Sequence, residues 1–200
     1  MLKKKNIFIS GGSSGLGKAL ALALSKNNKI YCLSKSVLKS KNVKSIKCNF
    51  KNINNIKKKL KKLINIKKID YVFLDAGILG EIEKMDKINF DQVQEIFKIN
   101  VFANKEIIDF FLSKKIKTNF IIALSSGAAL RPKVGWFLYC SSKATLKFMI
   151  ECYASEFKKI KFINLSPGLI KTRMQKQICK IDDKKIKSVK KFKKLNYQNK

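Results

Sequence analysis

The stretch Asn-Ile-Phe-Ile-Ser-Gly-Gly-Ser-Ser-Gly-Leu-Gly, residues 6–17, indicates how this chain folds. Its first four residues form a short apolar run of the kind found in buried strands. An Ala- and Leu-rich segment that follows, through Leu24, is typical of a helix. A strand, a glycine turn and a helix in this order are the first unit of an α/β fold that binds a dinucleotide. A flexible glycine loop without a ligand is the alternative for so short a motif.

Each glycine of the turn has a separate use if a dinucleotide binds there. Gly11 would permit the tight turn, Gly15 would let backbone amides approach a pyrophosphate, and Gly17 would let the helix pack closely on the strand. The start of the helix supplies positive potential for the phosphates. The predicted cofactor-binding residues of this turn are Ser10, Gly11, Ser13, Ser14, Gly15, Leu16 and Gly17.

A second polar stretch, Ser125–Lys143, follows the apolar run Phe120–Leu124, which is predicted to be another buried strand. Tyr139 and Lys143 lie four residues apart in a helical pattern, so both side chains should project from one face. A nearby cation favours the phenolate and would bring the pKa of the phenol down toward neutral pH, as general acid catalysis needs. Ser126 joins them because open α/β sheets place their sites at the carboxyl ends of strands. Alone, however, such a Tyr/Lys pair is also common on solvated helices.

Taken together, the turn Gly-x-x-x-Gly-x-Gly and the spacing of Ser126, Tyr139 and Lys143 resemble the short-chain dehydrogenase/reductase family, over about residues 5 to 175. The sequence around these residues is most similar to the sepiapterin reductase and benzil reductase branch of the family. The resemblance implies a doubly wound parallel α/β sheet with strand order 3-2-1-4-5-6. It also implies reduction of a small-molecule ketone, aldehyde or dicarbonyl by hydride transfer, in a homo-oligomer (dimer or tetramer) that needs no metal.

The resemblance implies a role for each residue of the predicted catalytic site. Tyr139 would protonate the developing alkoxide, and Ser126 would hydrogen-bond the same oxygen. Lys143 would hold the ribose hydroxyls and keep a positive field on Tyr139. Asn100, which lies within a predicted long helix from Phe90 to Phe111 capped by Asn89, would help to hold a water in the proton relay. The alternative for Asn100 is a core amide whose hydrogen bonds are satisfied by backbone groups.

The second predicted strand, Lys29–Leu33, bears on the choice of cofactor. At its end an acidic residue would bind the ribose hydroxyls of NAD, but this chain has Ser34 and Lys35. A missing carboxylate and a cation fit the 2′-phosphate of NADP, so we expect NADP (NADPH) to be preferred. A chain this rich in lysine would also place Lys35 there by chance.

The remaining cofactor contacts are assigned by the resemblance. They follow the third strand (Ser45–Cys48), the fourth (Tyr71–Leu74) and the sixth (Lys161–Leu165). Relatives usually show Asn-Asn-Ala-Gly after the fourth strand, so Leu74 and Asp75 depart from that pattern. The residues concerned are Asn49, Phe50, Asp75, Ala76, Gly77, Pro167, Gly168, Ile170 and Thr172, together with Tyr139 and Lys143.

Length and composition suit one domain, residues 1–175, and a Lys-rich tail, residues 176–200. Relatives continue with a further helix and a seventh parallel strand, and no clear candidate for that strand follows Lys161–Leu165. We therefore expect the sixth strand to be a sheet edge. Residues beyond about Gln175 should be mobile or pack over that edge.

The formal charge of +32 raises the possibility of a nucleic-acid partner. Nearly all of this charge is lysine, whereas nucleic-acid surfaces favour the bidentate contacts of arginine, so we favour a solvated, compositionally biased surface. A polyanion-binding protein and a non-catalytic nucleotide-binding relative remain the alternatives. Five scattered cysteines and the absence of histidine support neither a disulfide framework nor a zinc site. With no apolar membrane span and no signal-peptide core, we expect the cytosol.

Overall fold

A computed structural model describes residues 2–181 and 186–193 of the chain. Six parallel strands form one sheet in the order β3-β2-β1-β4-β5-β6, and this confirms the predicted order. Their apolar residues are buried on both faces of the central strands, as in parallel sheets covered by helices on both sides. The strands are β1 (Asn6–Ser10), β2 (Lys29–Ser34), β3 (Val43–Lys47), β4 (Tyr71–Leu74), β5 (Phe120–Leu124) and β6 (Lys161–Leu165).

Helices cover the two faces of the sheet and enclose a separate core on each. One core lies under α2 and the helices that follow β4, around Phe8, Leu60 and Phe111. The other lies between the sheet and the first helix, around Ile9 and Ala21. The helices are α1 (Gly15–Ser25), α2 (Asn54–Leu63), α3 (Phe90–Phe97), α4 (Ala103–Ser113), α5 (Phe137–Glu156), α6 (Arg173–Cys179) and α7 (Ser188–Lys193). None of those in the described part of the chain is long and apolar enough to cross a membrane.

The long helix predicted from Phe90 to Phe111 is wrong in one respect, because a π-helical segment, Lys98–Phe102, separates α3 from α4. The predicted cap is confirmed: the side chain of Asn89 accepts a hydrogen bond from Gln92 N, and the side chain of Gln92 accepts one from Asn89 N. Asn100 occupies the middle of the π-helical segment. Such segments occur where a side chain intervenes in the regular ladder of backbone hydrogen bonds.

Strand β6 has a free edge among the described residues, as the sequence predicts. Its inner edge pairs with β5 in parallel register, from Phe120 opposite Lys161 to Leu124 opposite Leu165. Ile163 and Leu165 are 38% and 44% exposed. The strand is therefore only lightly covered compared with the buried strands at the centre of the sheet.

The segment after Thr172 packs on the loops at the carboxyl ends of the strands. Ile178, Ile186 and Val189 are buried in a third apolar cluster that includes Trp136 and Tyr139. Ser188 holds this contact, because its hydroxyl accepts from Trp136 Nε1 (3.0 Å) and donates to Val134 O (2.8 Å). The described residues of the predicted tail thus pack on Trp136 and not over the edge of β6, as the sequence analysis had allowed. Residues 182–185 and 194–200 of that tail lie outside the described part of the chain, and the division into a domain, 1–175, and a tail, 176–200, stays a prediction.

Substitution of Val189 tests this packing. Val189→Ala removes two fully buried methyl groups, so the free energy of unfolding should fall by about 1 to 2 kcal/mol in a denaturant titration. Lys190→Ala, at the exposed neighbouring position, is the control and should change it by less than about 0.5 kcal/mol. Equal stability of the two variants would mean that α7 does not pack as described.

Candidate active site

The glycine turn after β1 packs directly against the end of β4. A Cβ atom on Gly11 would lie 2.9 Å from Ala76 N, and Gly11 has a φ of +82°, so this position accepts only glycine without strain. Ser10 Oγ accepts a hydrogen bond from Ala76 N at 3.2 Å. A Cβ atom on Gly17 would lie 2.5 Å from Asp75 Oδ2 and 2.7 Å from Gly11 O. The amide end of α1 is thereby held close to the loop that follows β4.

The part of the glycine turn that faces away from β4 is open to solvent. Ser14 and Gly15 are exposed, while Ser13 and Leu16 are partly buried. Thr172 lies beside the turn, since its methyl carbon would be 3.7 Å from a Cβ atom on Gly15. The structure thus brings together the predicted residues of the turn and Thr172, although 157 residues of sequence separate Gly15 from Thr172. Backbone amides at a helix start with a hydroxyl nearby form a common type of phosphate site.

Tyr139, Ser126 and Lys143 converge, as the sequence predicts. The side-chain hydroxyls of Tyr139 and Ser126 interact by a hydrogen bond. Ser126 Oγ also accepts from Ala128 N at 3.2 Å, and this fixes the short turn that follows β5. Lys143 Nζ lies 5.8 Å from the centre of the Tyr139 ring and donates to Leu124 O at 2.7 Å. Both Tyr139 and Lys143 are buried.

The expectation that the cation lowers the pKa of Tyr139 is wrong for the protein without ligands. Burial raises the pKa of the phenol above its usual value of 10, and the hydrogen bond with Ser126 offsets this only in part. The ammonium group of Lys143, which donates to Leu124 O and lies 5.8 Å from the centre of the ring, does not reverse this shift. Tyr139 is therefore protonated at neutral pH and is a weaker acid than a tyrosine in water.

Burial also shifts the pKa of two charged groups beside Tyr139. It lowers the pKa of Lys143 to about 8, against an opposing effect from the nearby Asp75 carboxylate. It raises the pKa of Asp75 to about 6, against opposing effects from Lys143 and from a hydrogen bond donated by Gly17 N (2.9 Å). A positive and a negative group thus face each other where the ends of β4 and β5 meet α5.

Asn100 lies in this site but is completely buried. Its Oδ1 accepts from Ile78 N (2.8 Å) and its Nδ2 donates to Ile78 O (2.9 Å), so it clamps the loop after β4. Nδ2 also donates to Ser142 Oγ (3.0 Å), whose own hydrogen bond goes to Tyr139 O (3.0 Å). The backbone carbonyl of Asn100 accepts from Asn104 Nδ2 at 2.8 Å. The core-amide interpretation of Asn100 describes these contacts, and sequence reasoning missed Ile78, Ser142 and Asn104 as its partners.

The predicted adenosine end of the site is more open. Ser34 is buried, and its hydroxyl donates to Ser36 O (2.9 Å), whereas Lys35 is exposed and follows it directly. Asn49 is exposed and its Oδ1 accepts from Lys51 N (3.1 Å). A shallow depression of about 460 Å³ lies beside it. Phe50, in contrast, is buried in the core. Lys35 and Asn49 are thus the predicted polar groups that solvent reaches at this end.

The loop after β6 contains the last of the predicted cofactor-binding residues. Gly168 is exposed with a φ of +75°, while Pro167, Ile170 and Thr172 are partly buried. Thr172 Oγ1 accepts from Gln175 N at 3.3 Å and so caps α6. The contact between Trp136 and Ser188, which closes this side over Tyr139, was missed by sequence reasoning, since Ser188 lies in a lysine-rich stretch with a weak pattern.

A cavity of about 540 Å³ lies on another face of α5. Ser126, Tyr139 and Lys143 do not line it, but it adjoins their site through Ala128, whose N donates to Ser126 Oγ, and Cys140, which follows Tyr139. Its lining is mostly apolar, with basic side chains among it. The lining residues are Lys84, Met85, Ala128–Gly135, Phe137, Cys140, Ser141 and Ala144.

Comparisons with known proteins agree with this architecture. The profile of the family described as short chain dehydrogenase matches residues 5–182. An uncharacterized oxidoreductase of Schizosaccharomyces pombe is 31% identical over 184 residues, which cover 88% of this chain and 74% of that protein. A benzil reductase ((S)-benzoin forming) of Bacillus subtilis is 27% identical over 203 residues, covering 94% and 84%. The solved structure of ElxO with NADP bound superimposes with a TM-score of 0.79 at 22% identity, covering 92% and 83%.

The clamp formed by Asn100 gives a direct test of the site's structure. Asn100→Ala leaves Ile78 N and Ile78 O without their partners at a partly buried place and removes the buried bond to Ser142 Oγ, so the free energy of unfolding should fall by roughly 2 to 4 kcal/mol. Denaturant titration measures this loss, and Asn55→Ala at an exposed helical position is the control. A loss no larger than that of the control would show that Asn100 does not hold the loop.

Proposed function

Since the chain belongs to the short-chain dehydrogenase family, we propose that it uses NADPH to reduce the carbonyl group of a small ketone, aldehyde or dicarbonyl. Its membership of this oxidoreductase family confirms the predicted family, and the similarity to a benzil reductase confirms the predicted branch. The observation that carries the proposal is the convergence of Ser126, Tyr139 and Lys143 at the carboxyl ends of the strands, beside an open glycine turn.

The residues present fit a nicotinamide dinucleotide. Gly11 and Gly17 pack the turn against the end of β4, and exposed Gly15 leaves backbone accessible where a pyrophosphate needs close approach. The amide end of α1 and the Thr172 hydroxyl would hold the phosphates. Lys143 would hold the ribose hydroxyls, and the loop after β6 would contact the carboxamide. Such a cofactor supplies the hydride; binding, orientation and proton supply come from the protein.

Tyr139 supplies the proton in this proposal. Its phenol keeps its proton because burial raises its pKa, and it would give that proton to the oxygen of the substrate as negative charge develops there. Ser126 would hydrogen-bond the same oxygen and stabilise this charge. The positive charge of Lys143 would then stabilise the tyrosinate. Asn100 positions Tyr139 through Ser142, and its part in a water relay to solvent stays a prediction.

Two observations favour NADP over NAD. The end of β2 carries exposed Lys35 and no carboxylate, which suits a 2′-phosphate. The similar fold of ElxO has been solved with NADP bound. Because Ser34 is buried and bonded to Ser36 O, the proposed contact with the extra phosphate rests mainly on Lys35.

A homo-oligomer remains part of the proposal and fits the family. Phe102 and Phe148 are 47% and 68% exposed, on the π-helical segment and on α5, and an interface between copies of the chain would cover such side chains. A cytosolic location also stays a prediction.

Tyr139→Phe tests the proton donor. The variant should lose about 100-fold or more of kcat in an NADPH oxidation assay on a panel of small dicarbonyls, because general acid catalysis contributes about this much. Its affinity for NADPH, measured by fluorescence titration, should change less than about threefold. Tyr71→Phe, which keeps the ring stacked on Phe120, is the matched control. Retention of most of the turnover by Tyr139→Phe would refute the assignment.

Lys35→Ala tests the choice of cofactor. The wild type should bind NADPH more tightly than NADH, and the substitution should remove about 1 kcal/mol or more of that preference, since it deletes a cation beside the 2′-phosphate. Lys39→Ala, at another exposed position after β2, provides the control. An unchanged ratio of the two dissociation constants in Lys35→Ala would contradict the proposed contact.

A further inference from the structure

An acidic side chain lies where the glycine turn, the end of β4 and the catalytic helix α5 meet. Asp75 Oδ2 accepts a hydrogen bond from Gly17 N at 2.9 Å. Gly17 is the third residue of α1, and the positive end of a helix stabilises a carboxylate at this position. A Cβ atom on Gly17 would lie 2.5 Å from the same oxygen, so the carboxylate is closely packed against the turn.

The loop that begins with Asp75 also contacts Lys143. A Cβ atom on Gly77 would lie 3.8 Å from Lys143 Nζ and 3.2 Å from Asn100 Oδ1. Lys143 Nζ donates to Leu124 O, a neutral acceptor that carries no counter-charge. Among the described residues, the acidic group that influences the charge of Lys143 is Asp75, and it acts through space.

In the described part of the chain, few charged or polar groups face Asp75. From α5 these are Lys143 and Tyr139, and from α1 the facing group is the backbone amide of Gly17. Lys143 and Gly17 both favour the charged carboxylate, whereas burial disfavours it. Asn100, which approaches from the π-helical segment, carries no charge.

We propose that Asp75 is a positioning residue that serves as the counter-ion of Lys143 and links the charge of that lysine to the amide end of α1. Its consequence for catalysis rests on the function proposed above. With Asp75 ionised, Lys143 keeps its proton at neutral pH, where it would hold the ribose and stabilise the tyrosinate. Without this negative charge, the buried ammonium would lose its proton at a lower pH.

Asp75→Asn tests the role of the negative charge, because asparagine has nearly the same shape as aspartate but is neutral. The amide oxygen of asparagine can still accept from Gly17 N, so the packing against the turn is kept while the negative charge is removed. The pH dependence of NADPH affinity, measured by fluorescence titration, should then change. In the wild type the affinity should fall above about pH 8, where Lys143 loses its proton, and in Asp75→Asn this fall should begin about one pH unit lower. Asp91→Asn, at an exposed acidic position of α3, should leave the profile unchanged.

A second measurement needs neither cofactor nor activity. Thermal unfolding of Asp75→Asn, Lys143→Met and the double variant forms a cycle that isolates the attraction between the two groups. At about pH 7.5 the double variant should melt about 2 to 4 °C above the value that the two single shifts predict. At about pH 5, where Asp75 is mostly protonated, the shifts should add. Should Lys143→Met not fold, the difference between the wild type and Asp75→Asn must itself change between these two pH values.

The outcomes distinguish failure of the proposed function from failure of the proposed counter-ion role of Asp75. Absence of NADPH binding by the wild type would overturn the proposed function, while the melting cycle would still decide the role of Asp75. Additive shifts at both pH values, or an Asp75→Asn binding profile identical to that of the wild type, would overturn the counter-ion role. A fall of affinity by the same factor at every pH would assign Asp75 to packing of the turn alone, and would also overturn it.

Discussion

The arrangement of this site depends on the burial of one ammonium group. Burial lowers the pKa of Lys143 from 10.5 to about 8, which corresponds to a cost on the order of 3 kcal/mol. Because the folded protein binds this proton less tightly than the unfolded chain, the cost applies in full below about pH 8 and disappears as the pH rises toward 10.5. That value already includes the opposing effect of Asp75 after β4, and Lys143 Nζ also donates to Leu124 O at the end of β5. Their strands are neighbours in the sheet, so the topology itself supplies the compensating groups.

Much of the fold could be predicted because parallel strands buried on both faces are nearly continuous apolar runs. The bounds expected for β4, β5 and β6 are those of the structure, and the predicted third strand, Ser45–Cys48, overlaps the observed Val43–Lys47. The glycine turn was recognisable for a similar reason. Its small residues mark places where backbone meets backbone, as Gly11 meets Ala76, and such a constraint is visible in local sequence.

The features that could not be predicted depend on contacts between distant residues. The π-helical segment accompanies hydrogen bonds from Asn100 to Ile78 and Ser142, which lie 22 and 42 residues away. The local pattern allows a core position for this asparagine but does not identify its partners. In the lysine-rich segment after Thr172, the buried Ile178, Ile186 and Val189 are too widely spaced for a clear helical period. Their partner Trp136 lies far back in the chain, so only the fold reveals the cluster.

The same burial accounts for both pKa changes in the proposed catalytic pair. Removal from water disfavours charge, so it raises the pKa of the Tyr139 phenol and lowers that of the Lys143 ammonium. A phenol with a raised pKa is a weak acid, and it gives its proton only to a stronger base such as an alkoxide. Once it has donated, the tyrosinate and the ammonium stabilise each other, and the lysine charge becomes more favourable than in the resting protein. In the proposed reaction the charge of Lys143 would therefore favour the tyrosinate that forms when Tyr139 protonates an alkoxide.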